Sequence, residues 1–133
     1  VPRFMDQNAV NVSAMAEQLA SDIRYTQTLA MTTGQRNRIN LAAGSYQITT
    51  STGGLLTHPA TGDTGPIPLN DVTLSGWNPP LTNNYVAFDG LGVPYSLVTS
   101  STGLTGSATI TLSAGGDTRT VVISRETGRV IVQ

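Results

Sequence analysis

The side chains that could perform hydrolytic chemistry in this chain are a single histidine and many hydroxyl residues. Nucleophilic hydrolysis needs a base beside a Ser or Thr, and a third group that orients the base. The only histidine, His58, precedes Pro59 in a stretch rich in Gly and Pro, and the sequence contains no Gly-x-Ser-x-Gly elbow. Because Ser and Thr are so frequent that a chance triad can always be drawn, we predict no catalytic residue and no enzymatic activity.

The acidic residues are spaced as turn residues rather than as a paired acid and base. Carboxylates for glycosidic or proton-transfer chemistry would come from four aspartates, Asp63, Asp71, Asp89 and Asp117. Each of them adjoins a Gly or opens a strand, as turn chemistry explains. A calcium loop needs several oxygen ligands at alternating positions, whereas residues 61–64 supply one carboxylate. We therefore expect no metal site and no cofactor.

Composition excludes several other classes of function. The chain of 133 residues is long enough for one domain with a core of its own. It has no Cys, which excludes disulfides and thiolate metal sites, and it has no apolar run of about 20 residues, the length that spans a bilayer. The formal net charge of −1 gives no overall field that would attract nucleic acid, although all seven cations are Arg.

The element most able to position anything else is a long helix at the start of the chain. From Met5 onward, apolar residues recur in alternating steps of four and three as far as Ile23, and Gly34 is a natural stop. Such a helix would span about 43 Å, whereas a domain of this length has a radius of gyration of about 14 Å. We expect the helix to overhang its own domain and to dock on other subunits. A second apolar set lies away from the main stripe and indicates a second partner: Val10, Ala14, Tyr25 and Leu29.

The rest of the chain, residues 35–133, has the alternation of short strands. Residues 36–50 predict a hairpin, and residues 51–70 predict an irregular loop because they are rich in Gly and Pro. Short strands are predicted at residues 72–74 and 85–88, and a three-strand antiparallel meander at residues 108–132. The fold class is therefore α+β: a long N-terminal helix packed on an antiparallel sheet.

Four segments of the sequence together resemble a known family. They are residues 1–4, the helix segment 20–36, the Phe-Asp-Gly-Leu-Gly element at residues 88–92 and the closing residues 123–130. In this order they resemble type IV pilin-like minor pilins, and most closely the H-type pseudopilins of type II secretion and the FimT-like minor pilins. The resemblance covers most of the chain and leaves out residues 51–70.

The resemblance implies how such a chain would be made and used. The precursor would carry a leader that a prepilin peptidase removes, and the new N-terminus would be N-methylated. An apolar helix in the inner membrane would follow the leader. This chain would therefore be a fragment in the periplasm or on an extracellular fibre. The partners would be other pilin or pseudopilin subunits, whose helices pack in a central bundle. For that assembly face we predict Phe4, Met5, Ala9, Val12, Ala16 and Leu19, with Leu19 passing into the fold's own core.

Two alternatives to a purely structural subunit stay open at this stage. Some FimT-like pilins capture DNA through a C-terminal Gly-Arg-x-Arg motif, which residues 128–130 begin, although Ile131 replaces the second Arg. The candidate phosphate contacts are Arg36, Arg38, Arg125 and Arg129. An adhesive module would instead present its aromatic rings, Trp77, Tyr85 and Tyr95, to a ligand such as a sugar. The predicted main function is fibre assembly or capping of the fibre tip.

Overall fold

A computed structural model describes residues 7–52, 54, 56–57, 62, 66–69, 72–78, 85–95, 107–125 and 127–133 of the chain, without the side chains of residues 7–10 and 75–78. The first element among these residues is one continuous helix. Helix α1 spans Gln7–Thr33. Gly34 follows with a φ of 71° and donates its N–H to Ala30 O at 2.9 Å, a left-handed cap that Gly adopts without steric cost. The predicted end of the helix is confirmed.

The described residues after the helix form nine strands in two sheets. The strands are β1 (Asn37–Leu41), β2 (Ser45–Thr50), β3 (Ile67–Pro68), β4 (Thr73–Asn78), β5 (Tyr85–Phe88), β6 (Pro94–Tyr95), β7 (Ala108–Ala114), β8 (Asp117–Ile123) and β9 (Val130–Val132). Sheet A has the order β3-β2-β1-β5-β6, and sheet B has the order β4-β7-β8-β9. All of the pairings are antiparallel. The predicted α+β class is therefore confirmed.

Both sheets pack on the same helix. In β1, Ile39 and Leu41 point into the core and alternate with half-buried polar residues. In β7, Ile110 and Leu112 do the same and are fully buried. The α1 helix contacts β1 and β5 of sheet A and β7, β8 and β9 of sheet B. One hydrophobic core thus lies between the helix and both sheets.

Each sheet edge is short, interrupted or covered. The edge strands of sheet A are two residues long, and each contains a proline, Pro68 or Pro94. In sheet B, the β4 edge has a register shift between Ser75 and Trp77, and at the β9 edge the guanidinium of Arg24 donates to Val130 O at 2.8 Å. Such devices oppose unspecific pairing with the edges of other chains. We therefore expect contacts with partners through side-chain surfaces rather than through added strands.

The strand predictions are partly confirmed and partly corrected. The hairpin at residues 36–50 is β1 and β2, and the meander at residues 108–132 is β7, β8 and β9. The loop at residues 51–70 is not wholly irregular, because Ile67 pairs with Tyr46 to form the edge of sheet A. The strand predicted at residues 72–74 extends to Asn78. Much of that loop, including His58, lies outside the described residues.

Candidate assembly surface

The apolar stripe of α1 is buried within the protomer itself. Val12, Ala16 and Leu19 are 1%, 0% and 0% exposed, and the burial continues to Ala30. This burial contradicts the prediction that Val12 and Ala16 pack between subunits, because both are already covered by the two sheets. Leu19 lies in the core, as expected of it. Phe4 and Met5 lie outside the described residues, as does the side chain of Ala9, so their role in assembly stays a prediction.

The opposite side of α1 is exposed and carries mainly small and polar side chains. We call it the outer helix face: Ala14, Glu17, Ser21, Arg24, Thr28 and Met31. Helical spacing places these residues on one side. Of the predicted second apolar set, Ala14 belongs to this face and Tyr25 and Leu29 are half-buried, whereas the side chain of Val10 lies outside the described residues. The helix is therefore covered by its own sheets on one side and open to a partner on the other.

A buried polar cluster fixes the helix on sheet A. The Tyr46 hydroxyl donates to the carboxylate of Asp22 and accepts from Gln18 Nε2 at 3.1 Å. Tyr46 is 1% exposed and Asp22 is 5% exposed. Burial, together with the neighbouring Asp22 carboxylate, raises the pKa of Tyr46 far above its usual value. The tyrosine therefore stays a neutral donor, and the cluster sets the rotation of α1 about its axis.

A second polar contact joins the C-terminal half of α1 to both sheets. Gln27 Nε2 donates to Gly92 O at 2.9 Å and to Thr127 O at 3.0 Å. Gly92 belongs to the turn between β5 and β6, and Thr127 belongs to the turn between β8 and β9. Gly128 packs beside this amide with a φ of 69°. We call this contact the Gln27 junction; it brings together two sequence segments that lie far apart in the chain.

The turn after β5 is organised around the side chain of Asp89. Its Oδ1 accepts the N–H of Leu91 and of Val93, both at 2.9 Å, and its Oδ2 accepts the Tyr95 hydroxyl at 2.8 Å. Partial burial would raise the pKa of Asp89, but the hydrogen bonds from Tyr95, Val93 and Leu91 together lower it. The hydrogen bond to Asp89 raises the pKa of Tyr95. The carboxylate thus remains charged and holds the turn closed.

Two of the four predicted phosphate contacts, Arg36 and Arg38, lie over tyrosine rings of sheet A. Arg36 lies 4.0 Å from the centre of the Tyr95 ring and Arg38 lies 4.8 Å from that of Tyr85. Cation–π contacts therefore hold both guanidinium groups against sheet A. Arg38 Nε also donates to Thr49 Oγ1 at 3.1 Å. The other two, Arg125 and Arg129, are exposed beside the turn between β8 and β9.

The remaining candidate sites receive little support from the geometry. Tyr85 and Tyr95 are buried under the two arginines, at 4% and 8% exposed, so their rings are not presented to a sugar as an adhesive module would require. The side chain of Trp77 lies outside the described residues, as do Asp63 and Asp71. Within the described part of the chain, no group of three or more His, Asp or Glu side chains is arranged to hold a metal.

A comparison with protein families matches residues 15–128 to the family described as Type II transport protein GspH. The match covers most of the chain. The chain belongs to the GspH family. This pseudopilin is therefore a member of the minor pilin and pseudopilin family of type IV pili and type II secretion, as the resemblance indicated. A comparison with curated protein sequences finds no match.

Solved structures show that the pseudopilin shares its fold with minor pilins of two organisms. The type IV minor pilin FimU of Pseudomonas aeruginosa is 16% identical, with a TM-score of 0.63 over 91% of each chain. The minor pseudopilin EpsH of the Vibrio cholerae type 2 secretion system is 11% identical, with a TM-score of 0.62 over 92% of this chain and 96% of its own. Among the described residues, α1 lacks the apolarity that a membrane-crossing helix needs.

Sequence reasoning missed the residues that position the helix of this pseudopilin. Gln18 and Gln27 are polar residues at half-buried positions of α1, where periodicity alone gives no sign of a partner. The neighbours of Gln27 left a clearer signal. Gly92 and Gly128 both lie in the segments on which the resemblance depended, and both have positive φ. Close backbone packing at glycines of this kind could have suggested a contact between their turns.

Proposed function

We propose that this pseudopilin is a non-enzymatic structural subunit that enters a fibre through the outer helix face. The observation that carries the proposal is the division of one unbroken 27-residue helix into a side covered by its own sheets and a side open to partners. Membership of the GspH family supports a role in a secretion pseudopilus or a type IV pilus. The fibre partner would be another subunit with a pilin-like fold.

The outer helix face is suited to close approach by a second helix. Ala14, Ser21 and Thr28 follow one another at intervals of seven residues, so small side chains form a line along the exposed side. Small residues let two helix axes come closer than large ones do, because interaxial distance depends on the side chains at the contact. The predicted roles of Phe4, Met5 and Ala9 in assembly remain part of this proposal, as contacts of the helix upstream of Asn11 with other subunits.

The site of action follows from the same family membership. We propose that the natural precursor continues upstream into an apolar helix in the inner membrane, and that the domain faces the periplasm before it joins a fibre. The location would therefore be the bacterial cell envelope. DNA capture is the alternative function, with Arg36, Arg38, Arg125 and Arg129 as its candidate contacts, of which Arg125 and Arg129 are the more exposed.

Replacing Ser21 with Trp tests the assembly role. Ser21 is exposed at the middle of the outer helix face, so Ser21→Trp should leave the fold intact but keep a neighbouring helix at a distance. We expect incorporation into fibres to fall about tenfold or more, which corresponds to about 1.4 kcal/mol. The measurement is quantitative immunoblotting of sheared fibres from cells that express the full reading frame.

The matched control is Thr118→Trp. Thr118 is also an exposed hydroxyl residue, but it lies on the face of sheet B turned away from α1, as the burial of Val121 on the same strand shows. Thr118→Trp should be incorporated as well as the unmodified protein. Normal incorporation of Ser21→Trp would refute the proposed function.

A further inference from the structure

The face of sheet A that is turned away from α1 carries two arginines stacked on two buried tyrosines. Ile39 of β1 belongs to the core under α1, whereas Tyr85 and Tyr95 form a separate cluster on the other side of the sheet. The guanidinium of Arg36 contacts the Tyr95 ring, and that of Arg38 contacts the Tyr85 ring. We call these two arginines and two tyrosines the arginine face. Because sheet A lies between it and α1, the arginine face is separate from the outer helix face.

Two contacts fix the orientation of the Arg38 guanidinium. Its plane lies over the Tyr85 ring, and its Nε donates to the hydroxyl of Thr49, a residue that is 5% exposed. A guanidinium held in this way keeps the edge formed by its two terminal nitrogens for another partner. The two N–H groups of that edge point in parallel and match two oxygens of one carboxylate or phosphate group. Arg38 therefore presents an oriented pair of donors that suits an oxyanion.

The charges of sheet A leave one cation without a counter-charge. Among the described residues of this sheet and its turns, the charged side chains are two arginines and one aspartate: Arg36, Arg38 and Asp89. Asp89 accepts the Tyr95 hydroxyl and lies close enough to Arg36 for an electrostatic interaction. Arg38 contacts no carboxylate within the part of the chain that the structure describes. The arginine face thus has a local charge of +1, although the whole chain has a net charge of −1.

The arrangement favours a single carboxylate over a nucleic acid. A nucleic-acid strand brings a row of phosphates, and its bases stack on open aromatic rings. Both tyrosine rings of the arginine face are already in contact with guanidinium groups. A carboxylate carries one negative charge and two oxygens in one plane, so it matches the free edge and the single uncompensated charge of Arg38.

We propose that the arginine face binds an acidic surface of a partner protein, one of whose side-chain carboxylates accepts hydrogen bonds from the two terminal nitrogens of Arg38. A solvent-exposed ion pair contributes only about 0–1 kcal/mol, so a small free carboxylate gains too little to stay bound. A protein surface also covers the stacked arginines and excludes water from the ion pair. Arginine and tyrosine are the residue types on which such interfaces often depend. This binding goes beyond fibre assembly, because it uses the side of the domain away from α1.

Titration of the isotope-labelled chain with a deca-glutamate peptide, followed by NMR at low salt, tests the proposal. The peptide supplies carboxylates on a polypeptide without phosphate. We expect the Nε–H signal of Arg38 to shift until it saturates. Arg38→Gln should raise the dissociation constant about tenfold or more, because it removes the charge and the paired donors. Arg38→Lys should also weaken binding, because a lysine keeps the charge but lacks the planar fork. The control is Arg119→Gln, at an exposed arginine of β8, which should stay within about twofold of the unmodified chain.

Three results would overturn the proposal. The first is a titration in which the Arg38 signal does not shift with the glutamate peptide. The second is equal weakening by Arg38→Gln and Arg119→Gln. The third is tighter binding of polyphosphate or duplex DNA than of the glutamate peptide at the arginine face, which would assign the face to phosphates. If Arg38→Gln does not fold, Arg38→Lys decides the second comparison. The assembly role of the outer helix face is tested separately by Ser21→Trp, so either proposal can fail while the other stands.

Discussion

Replacing Gly128 with Ala is expected to lower the free energy of unfolding by about 3 kcal/mol or more. Gly128 has a φ of 69°, a conformation that costs an L-residue about 1–2 kcal/mol. A Cβ there would lie 2.4 Å from Gln27 Nε2 and 2.4 Å from Gly92 O. Since Gly92 O is backbone, the turn would have to move away from the helix, and the hydrogen bonds of the Gln27 junction would break.

The matched control for this prediction is Gly116→Ala. Gly116 lies in the turn between β7 and β8, and a Cβ on it would meet no atom within 4 Å. We expect the free energy of unfolding of Gly116→Ala, from urea unfolding monitored by circular dichroism, to lie within about 0.5 kcal/mol of that of the unmodified chain. Equal stability of the two variants would show that the Gln27 junction does not hold the helix to both sheets.

Replacing Val12 with Asp should lower the free energy of unfolding of the protomer itself by about 3 kcal/mol or more. Val12 is 1% exposed in the core between α1 and the sheets. A carboxylate there would be either charged without a partner or forced into its neutral form, and both cost free energy. The measurement is chemical unfolding of the 133-residue chain, without any fibre.

Ala14→Asp provides the comparison on the same helix. Ala14 is exposed, two positions from Val12 and on the opposite side of α1. This variant should remain within about 0.5 kcal/mol of the unmodified chain. If Val12 instead served only to contact other subunits, Val12→Asp would unfold at the same urea concentration as Ala14→Asp, and the burial described for this helix would be wrong.

Much of the fold could be predicted because its signals are local. Gly34 ends the helix, and the alternation at Ile110 and Leu112 identifies a strand with one buried face. Both signals act within a few residues. The division into two sheets could not be predicted in this way, since alternation identifies strands and not their partners. The two-residue strands β3 and β6 are too short to show any period.

The assembly face was harder to predict, for a different physical reason. The stripe that includes Val12 and Ala16 shows that the helix has an apolar side, but it does not show which molecule covers that side. A radius of gyration describes the size of a sphere-like domain, whereas a domain can also be elongated along its helix. In the structure, both sheets extend along the helix, so burial reaches from Val12 to Ala30.

The contacts that orient the helix depend on residues whose types gave no warning. Tyr46 on β2 resembles an ordinary strand residue until its hydroxyl is seen against Asp22. Leu91 lies between two glycines and could belong to a core, yet it is 83% exposed. Only the three-dimensional arrangement distinguishes a buried polar pair from a solvated one, or an exposed leucine from a core leucine.

Cysteine labelling in assembled fibres tests the central claim most directly. The chain has no native Cys, so Ser21→Cys and Thr118→Cys each introduce a single thiol at an exposed position. In the free chain, both thiols should react with a maleimide at similar rates. In fibres, we predict that Ser21→Cys becomes protected while Thr118→Cys still reacts. Equal labelling of both thiols in fibres would contradict the claim that the outer helix face docks on neighbouring subunits.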